Sequence, residues 1–225
     1  RDLILRVNGL DTPWGRDDLA AAATAGAAGV MLPKVEAPAH VHQAQAVLAA
    51  YGAPEGLPIW CMIETPRGVL AAEAIAGASP AVVGLMVGTN DLGKALGCLQ
   101  TRGRDAFLTS FGLCILAARA HGIAAIDGTH PDLSDDAGFE AACRQARDLG
   151  FDGKALIHPK TVDGANRIFA PAEADIAWAR RIIAAYAEGA GGAIAVDGRL
   201  VERLHVEEAE RLVALADAIA ALGKA

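Results

Sequence analysis

Two stretches of the chain, LPIWCMIETP at Leu57–Pro66 and VVGLMVGTND at Val82–Asp91, have the same arrangement. In each, an apolar run ends in a cluster of polar and turn residues that contains an acid. Apolar runs of this length, bounded by turn residues, are typical of strands buried on both faces of a sheet. The two stretches therefore predict neighbouring strands of a parallel sheet with acidic groups at their carboxyl ends.

Similar apolar runs recur along the chain, and segments of helical composition lie between them. This alternation predicts an α/β fold in which crossover helices join parallel strands. The further predicted strands are 3–7, 29–35, 123–126 and 153–157. The predicted helices are 16–28, 37–51, 67–77, 104–120 and 136–149, followed by 172–187 and an amphipathic helix from about 204 to 222.

The polar clusters follow the strands, whereas the turns from helix back to strand are plain. A TIM (β/α)8 barrel carries its active site at the carboxyl ends of its strands in this way. Only six of the eight strands of such a barrel are predicted, so we expect a barrel that lacks its first two βα units; an open α/β sheet is the alternative. We place the barrel in residues 1–188 and a C-terminal helical lid or tail in 189–225, after a glycine-rich break.

Composition limits the possible partners and compartment. The chain has 225 residues, a formal net charge of −7 and a pI near 5.3. This charge argues against nucleic acid as the main partner. No apolar stretch has the length of a membrane span, and no signal peptide is visible. Four widely spaced cysteines suggest reduced thiols, so we expect a cytoplasmic protein.

Glu64 and Asp91 are the candidate metal ligands. Each follows a predicted strand directly, so both carboxylates are expected at the same rim of the barrel. Magnesium favours sites with one or two carboxylates, in which water and substrate oxygens complete its coordination. The alternative is structural: Glu64 caps the following helix, and Asp91 is a turn residue.

Arg6 lies in an otherwise apolar predicted strand, on the same face as Ile4 and Asn8. A guanidinium there requires an anionic partner, which is either a substrate carboxylate or a structural acid. Asp127 also follows a strand, where it either binds substrate or shapes an Asp-Gly turn. Lys34 and Lys154 leave a different mechanism open, in which a lysine amine forms a Schiff base with a carbonyl substrate, as in Schiff-base aldolases.

Six motifs in register resemble the citrate lyase β-subunit-like proteins of the HpcH/HpaI aldolase/citrate lyase superfamily, which include malyl-CoA lyase-like proteins. The resemblance runs from Arg6 to about Leu222. The motifs are RVNGLDTPWG (6–15), MLPKVE (31–36), MIETPRGV (62–69), GTNDLGKALG (88–97), AIDGTHPD (125–132) and GKALIHPKTV (153–162).

The resemblance implies a TIM barrel of the phosphoenolpyruvate/pyruvate-domain type, with Mg²⁺ as cofactor. It implies that Arg6 is a substrate ligand, that Glu64 contacts metal and substrate, and that Asp91 is the second metal ligand. Glu202, in the position of the family's lid carboxylate, is the expected acid or base. An acid-rich segment from the family's first two strands has no counterpart here.

The activity expected from the resemblance is magnesium-dependent C–C cleavage of a 3-hydroxyacyl-CoA, such as citryl-CoA or malyl-CoA, to acetyl-CoA and a 2-oxoacid. The alternatives are a CoA-independent 4-hydroxy-2-oxoacid aldolase that releases pyruvate, and a non-catalytic barrel subunit. The implied partners are an acyl-CoA, a 2-oxoacid and further copies of the chain in a homotrimer or hexamer, with no nucleic acid or membrane.

Overall fold

The computed structural model describes residues 2–189 and 192–222. Its main sheet has six parallel strands in sequential order, β1-β2-β3-β4-β5-β6, so each strand pairs with the next along the chain. The strands are β1 Ile4–Arg6, β2 Gly29–Leu32, β3 Ile59–Ile63, β4 Val82–Val87, β5 Ala124–Asp127 and β6 Gly153–Lys154. The predicted α/β class and the positions of these six strands are confirmed.

Helices connect the strands and follow the last of them. They are α1 Gly15–Thr24, α2 Pro38–Ala50, α3 Pro66–Leu70, α4 Ala72–Ala76, α5 Thr89–Leu96, α6 Leu108–Ala120, α7 Asp136–Leu149, α8 Val162–Phe169, α9 Glu173–Glu188 and α10 Arg203–Leu222. The predicted helix 67–77 is two short helices, α3 and α4. Helices α5 and α8 were not predicted.

Helix α5 forms where the sequence suggested only a turn. Gly88 occupies its N-cap position, and Gly97 ends it in the left-handed conformation with φ 64°. Leu92 is fully buried and fixes the helix to the core. Burial of a leucine side chain stabilises the folded state by about 1.5–3 kcal/mol. This gain offsets the cost of about 1 kcal/mol for placing a glycine, Gly93, inside so short a helix.

The two faces of the sheet carry different sets of residues. The helix-facing side carries fully buried apolar residues such as Val30, Ile59 and Leu85. On the opposite face, Met31, Trp60 and Gly84 lie side by side in register. A Cβ at Gly84 would come within 2.3 Å of the Trp60 ring, so glycine makes room for the indole. Alternation along the strands therefore assigns each rim residue to one face.

The chain divides into two compact units, one up to Ala165 and the other from Asn166 onward. The second unit contains α9, α10 and a small antiparallel hairpin, β7 Ile194–Val196 and β8 Arg199–Val201. Its core includes Ala179, Ile182, Val201, Val206 and Ala209. The boundary between units falls earlier than the predicted boundary at 188. The predicted domain limits, the missing βα units and the lid role stay predictions.

Among residues 2–189 and 192–222, no helix is long and apolar enough to cross a membrane.

Candidate metal and substrate site

The link between β3 and α3 places Glu64 at the carboxyl edge of the sheet. Thr65 is the N-cap of α3, and its Oγ1 accepts a hydrogen bond from the Gly68 amide at 3.1 Å. Pro66 occupies the first helical turn, where its missing N–H costs nothing. Because Thr65 performs the capping, the structural alternative for Glu64, that of a helix cap, is wrong.

Glu64 is an almost fully buried acid, with 5% of its surface exposed. Its Oε1 accepts a hydrogen bond from the Lys34 amide at 3.0 Å. On the other side lies Gly88, where a Cβ would come within 2.5 Å of Oε2. The carboxylate is therefore enclosed between the segment that follows β2 and the segment that follows β4.

Asp91 is exposed to solvent and belongs to the N-terminal end of helix α5. It is therefore a helical residue and not the loop residue that the alternative interpretation supposed. Burial raises the pKa of Glu64, and the nearby Asp91 carboxylate raises it further by charge repulsion and a shared hydrogen bond. The Lys34 amide opposes this shift. Two convergent acids of this kind favour either a shared proton or a bound cation.

The donor set fits a hard cation held by few protein ligands. No cluster of three or more His, Cys, Asp or Glu side chains with metal-site geometry exists in residues 2–189 and 192–222. A closed zinc site of three or four protein ligands is therefore not formed by these residues. Two carboxylates with open positions match the preference of Mg²⁺ for carboxylate, water and substrate oxygens.

Arg6 ends β1 on the face that leads to Glu64. It pairs in register with Met31, which pairs with Trp60, and Glu64 lies four residues after Trp60 on the same side of β3. The Arg6 side chain is exposed, and it forms no ion pair within the described part of the chain. The structural salt bridge considered for it is thus not formed by the described residues.

Asp127 lies on the opposite face of the sheet from Glu64. Met62 pairs with Met86, and Met86 with Ile126, so Ile126 shares the Glu64 face and Asp127 points to the helix layer. Asp127 is fully buried there. Its predicted role in substrate binding stays a prediction, but both carboxylate oxygens are already engaged by protein cations.

Those cations are Arg104 and Lys154. Arg104 Nη1 donates to the two Asp127 oxygens at 2.9 and 2.8 Å, and Lys154 Nζ donates to Oδ2 at 2.7 Å. The Arg104 guanidinium also donates to Gln145 and to the Ala142 carbonyl. Burial lowers the pKa of Lys154, and the adjacent Asp127 opposes that shift. Sequence reasoning missed Arg104, because it lies in a polar loop with no recognisable pattern.

The ion pair also bears on the Schiff-base alternative for Lys154. Its side chain has no exposed surface, and its ammonium donates to Asp127 and to the Gly128 carbonyl. A nucleophilic lysine needs access to a carbonyl substrate. The helix-facing, ion-paired Lys154 lacks that access in this structure.

Glu202 belongs to the second unit. It follows β8 at the start of α10, where its amide donates a hydrogen bond to His205 Nδ1 at 3.0 Å. Its side chain is exposed. The catalytic role predicted for Glu202 stays a prediction.

The fold and site together define a class: an α/β protein with a parallel sheet and two neighbouring carboxylates, Glu64 and Asp91, at its carboxyl edge. Residues 1–159 match the family model described as HpcH/HpaI aldolase/citrate lyase. The chain belongs to this family, which confirms the resemblance seen in the six motifs.

Three relatives illustrate the similarity. The (3S)-malyl-CoA thioesterase of Cereibacter sphaeroides is 46% identical over 222 residues, covering 97% of this chain and 75% of the relative. The citrate lyase subunit beta of Leuconostoc mesenteroides subsp. cremoris is 34% identical over 225 residues, covering 96% and 74%. CitE of Mycobacterium tuberculosis, in complex with magnesium, acetoacetate and coenzyme A, superposes with a TM-score of 0.79 at 32% identity, covering 95% and 78%.

Proposed function

We propose that this chain forms the catalytic site of a magnesium-dependent carbon–carbon lyase that acts on a 3-hydroxyacyl-CoA such as malyl-CoA or citryl-CoA. The observation that carries the proposal is the pair Glu64 and Asp91 at the carboxyl edge of adjacent strands, with Arg6 on the same face as Glu64. The magnesium and coenzyme A held by CitE of M. tuberculosis support it.

Each residue has a separate task in the proposed reaction. Glu64 and Asp91 hold Mg²⁺, which when bound polarises the oxygen substituent of the substrate carbon that becomes the 2-oxo group. Arg6 binds the adjacent carboxylate. The hydroxyl proton leaves, the C–C bond breaks, and its electron pair forms the acetyl-CoA enolate, which then takes up a proton.

Glu202 is proposed as the acid or base of these proton transfers. In this proposal, residues 189–225 act as a lid, and a trimer or hexamer of the chain brings the Glu202 carboxylate to a site. Residues 190, 191 and 223–225 of that segment lie outside the described residues. A cytoplasmic location is part of the same proposal.

Hydrolysis of malyl-CoA is the second candidate. The (3S)-malyl-CoA thioesterase of C. sphaeroides is more similar in sequence than the citrate lyase subunit beta, at 46% against 34% identity. The same metal and arginine would then bind the malyl group, while water attacks the thioester carbonyl and CoA thiol leaves. The bond that breaks distinguishes the two reactions.

The deciding experiment analyses the products formed from (3S)-malyl-CoA and citryl-CoA, with Mg²⁺ or with a chelator. Acetyl-CoA with glyoxylate or oxaloacetate is expected. Free CoA with malate would show a thioesterase and contradict the lyase proposal. With 4-hydroxy-2-oxoheptanedioate as a third substrate, release of pyruvate from this compound alone would indicate the aldolase. Metal binding without turnover of any of these substrates would overturn the catalytic proposal.

Matched variants link any activity to the site. Glu64→Gln keeps the size of the side chain but removes its charge, so turnover is expected to fall by at least about 100-fold, or 2.7 kcal/mol of transition-state stabilisation. Glu55→Gln, at an exposed loop position, removes the same charge elsewhere and is expected to leave turnover unchanged.

A further inference from the structure

Lys34 has an unusual backbone conformation beside the acid pair. It follows Pro33 at the end of β2 and has φ 48°, in the left-handed region. Non-glycine residues other than Asn and Asp rarely adopt this region, because the Cβ crowds the backbone. Such strain persists only where the surrounding contacts enforce it, and it is concentrated at functional sites.

The contacts around Lys34 fix the segment against the link between β3 and α3. The Lys34 amide donates to Glu64 Oε1 at 3.0 Å, and the next amide, that of Val35, donates to the Met62 carbonyl at 3.1 Å. The Val35 carbonyl lies against Gly68, where a Cβ would approach it to 2.5 Å. Three contacts thus connect residues 34 and 35 to the segment that carries Glu64.

This arrangement gives the two oxygens of Glu64 different surroundings. Oε1 is occupied by the Lys34 amide, whereas Oε2 lies beside Gly88, the N-cap of the helix that carries Asp91. Oε2 is therefore the oxygen on the side of Asp91. A backbone N–H in the ordinary right-handed or extended region would point elsewhere and leave Oε1 without this donor.

We propose that Lys34 is a positioning residue for the metal site, through its backbone. The left-handed conformation directs its N–H at Glu64 Oε1, so that Oε2 is presented to the cation shared with Asp91. This inference rests on the proposed function, because it assigns the geometry of the same magnesium site. It gives the lysine side chain no part in metal binding.

The exposed side chain of Lys34 makes the idea testable by substitution. Glycine and asparagine accept the left-handed region, whereas valine, with a branched Cβ, strongly disfavours it. All three substitutions remove the ammonium group. A difference among them therefore reports the backbone and not the charge.

The measurement is calorimetric titration of the full chain with Mg²⁺ alone. Lys34→Gly and Lys34→Asn are expected to bind within about threefold of the wild type, and Lys34→Val at least about tenfold more weakly. Lys34→Thr, which is also branched at Cβ but more polar than valine, serves if the valine variant does not fold. Lys94→Met, at an exposed lysine on α5, controls for the loss of one positive charge near Asp91.

Equal loss of Mg²⁺ affinity in the glycine, asparagine and valine variants would assign the effect to the ammonium and overturn the backbone role. Normal binding by the β-branched variants, Lys34→Val or Lys34→Thr, would overturn it as well. A wild-type chain that binds no Mg²⁺ would instead overturn the metal site of the proposed function, and the role of Lys34 with it. The two failures are therefore distinguishable.

Discussion

Two residues at the carboxyl edge of the sheet, Glu64 and Asp91, determine how a cation would bind at the proposed metal site. Glu64 is buried, which makes its charge unfavourable unless a donor or cation compensates it, and the Lys34 amide compensates only one of its oxygens. Asp91 is exposed and provides the second carboxylate. The proposed metal site thus combines one buried, oriented carboxylate with one solvated carboxylate.

The acid pair predicts a pH dependence of metal binding. Burial and the nearby Asp91 raise the pKa of Glu64 above its ordinary value of 4.5. Because only the ionised carboxylate binds the metal, Mg²⁺ affinity is expected to fall as the pH drops through this raised pKa. The loss therefore begins at a higher pH than an ordinary glutamate would give. Calorimetry between about pH 5 and about pH 8 measures it, and constant affinity over that range would contradict the prediction.

Gly88 gives a steric prediction at the same site. A Cβ at this position would lie 2.5 Å from Glu64 Oε2, although φ −86° suits any residue. Gly88→Ala is therefore expected to displace the carboxylate and weaken Mg²⁺ binding by at least about tenfold.

The matched control for this substitution is Gly112→Ala. Gly112 lies in α6, where an added methyl group meets no atom within 4 Å. That variant is expected to bind Mg²⁺ normally and to be as stable as the wild type or more so. Equal affinities in the two variants would show that Gly88 does not limit the position of Glu64.

At the scale of elements, the buried ion network around Asp127 joins β5, β6 and the loop before α6. Arg104 has φ 55°, so a strained backbone delivers the guanidinium that contacts Asp127. Lys154 Nζ also donates a hydrogen bond to the Gly128 carbonyl. Gly128 in turn lies against Val87 at the end of β4 and Thr89 at the start of α5. The network thus supports the rim from the helix-facing side.

Removal of the acid from this network is expected to destabilise the fold. Asp127→Asn leaves Arg104 and Lys154 buried without a counter-charge, which costs about 3–5 kcal/mol of the free energy of unfolding. Urea denaturation measures the loss. Asp136→Asn, which breaks the exposed pair with Lys160, is expected to cost no more than about 1 kcal/mol. Similar losses in both variants would argue against a structural role for the Asp127 network.

For the whole molecule, the order of elements could be read from sequence, because parallel strands of an α/β fold appear as separate apolar runs. All six runs became strands, and the acids after two of them converge as predicted. Helix α5 was missed, since TNDLGKAL has an apolar pattern too short to distinguish it from a turn; burial of Leu92 in the folded core decided it.

The sequence by itself thus determined the class of fold, the family and the acid pair, because these depend on local patterns and on the shared direction of parallel strands. Only the tertiary structure decided that Asp127 faces the helix layer, where Arg104 and Lys154 neutralise it, and that the Lys34 amide orients Glu64. These arrangements depend on strand register and on contacts between residues 23 to 30 positions apart, which no local pattern encodes.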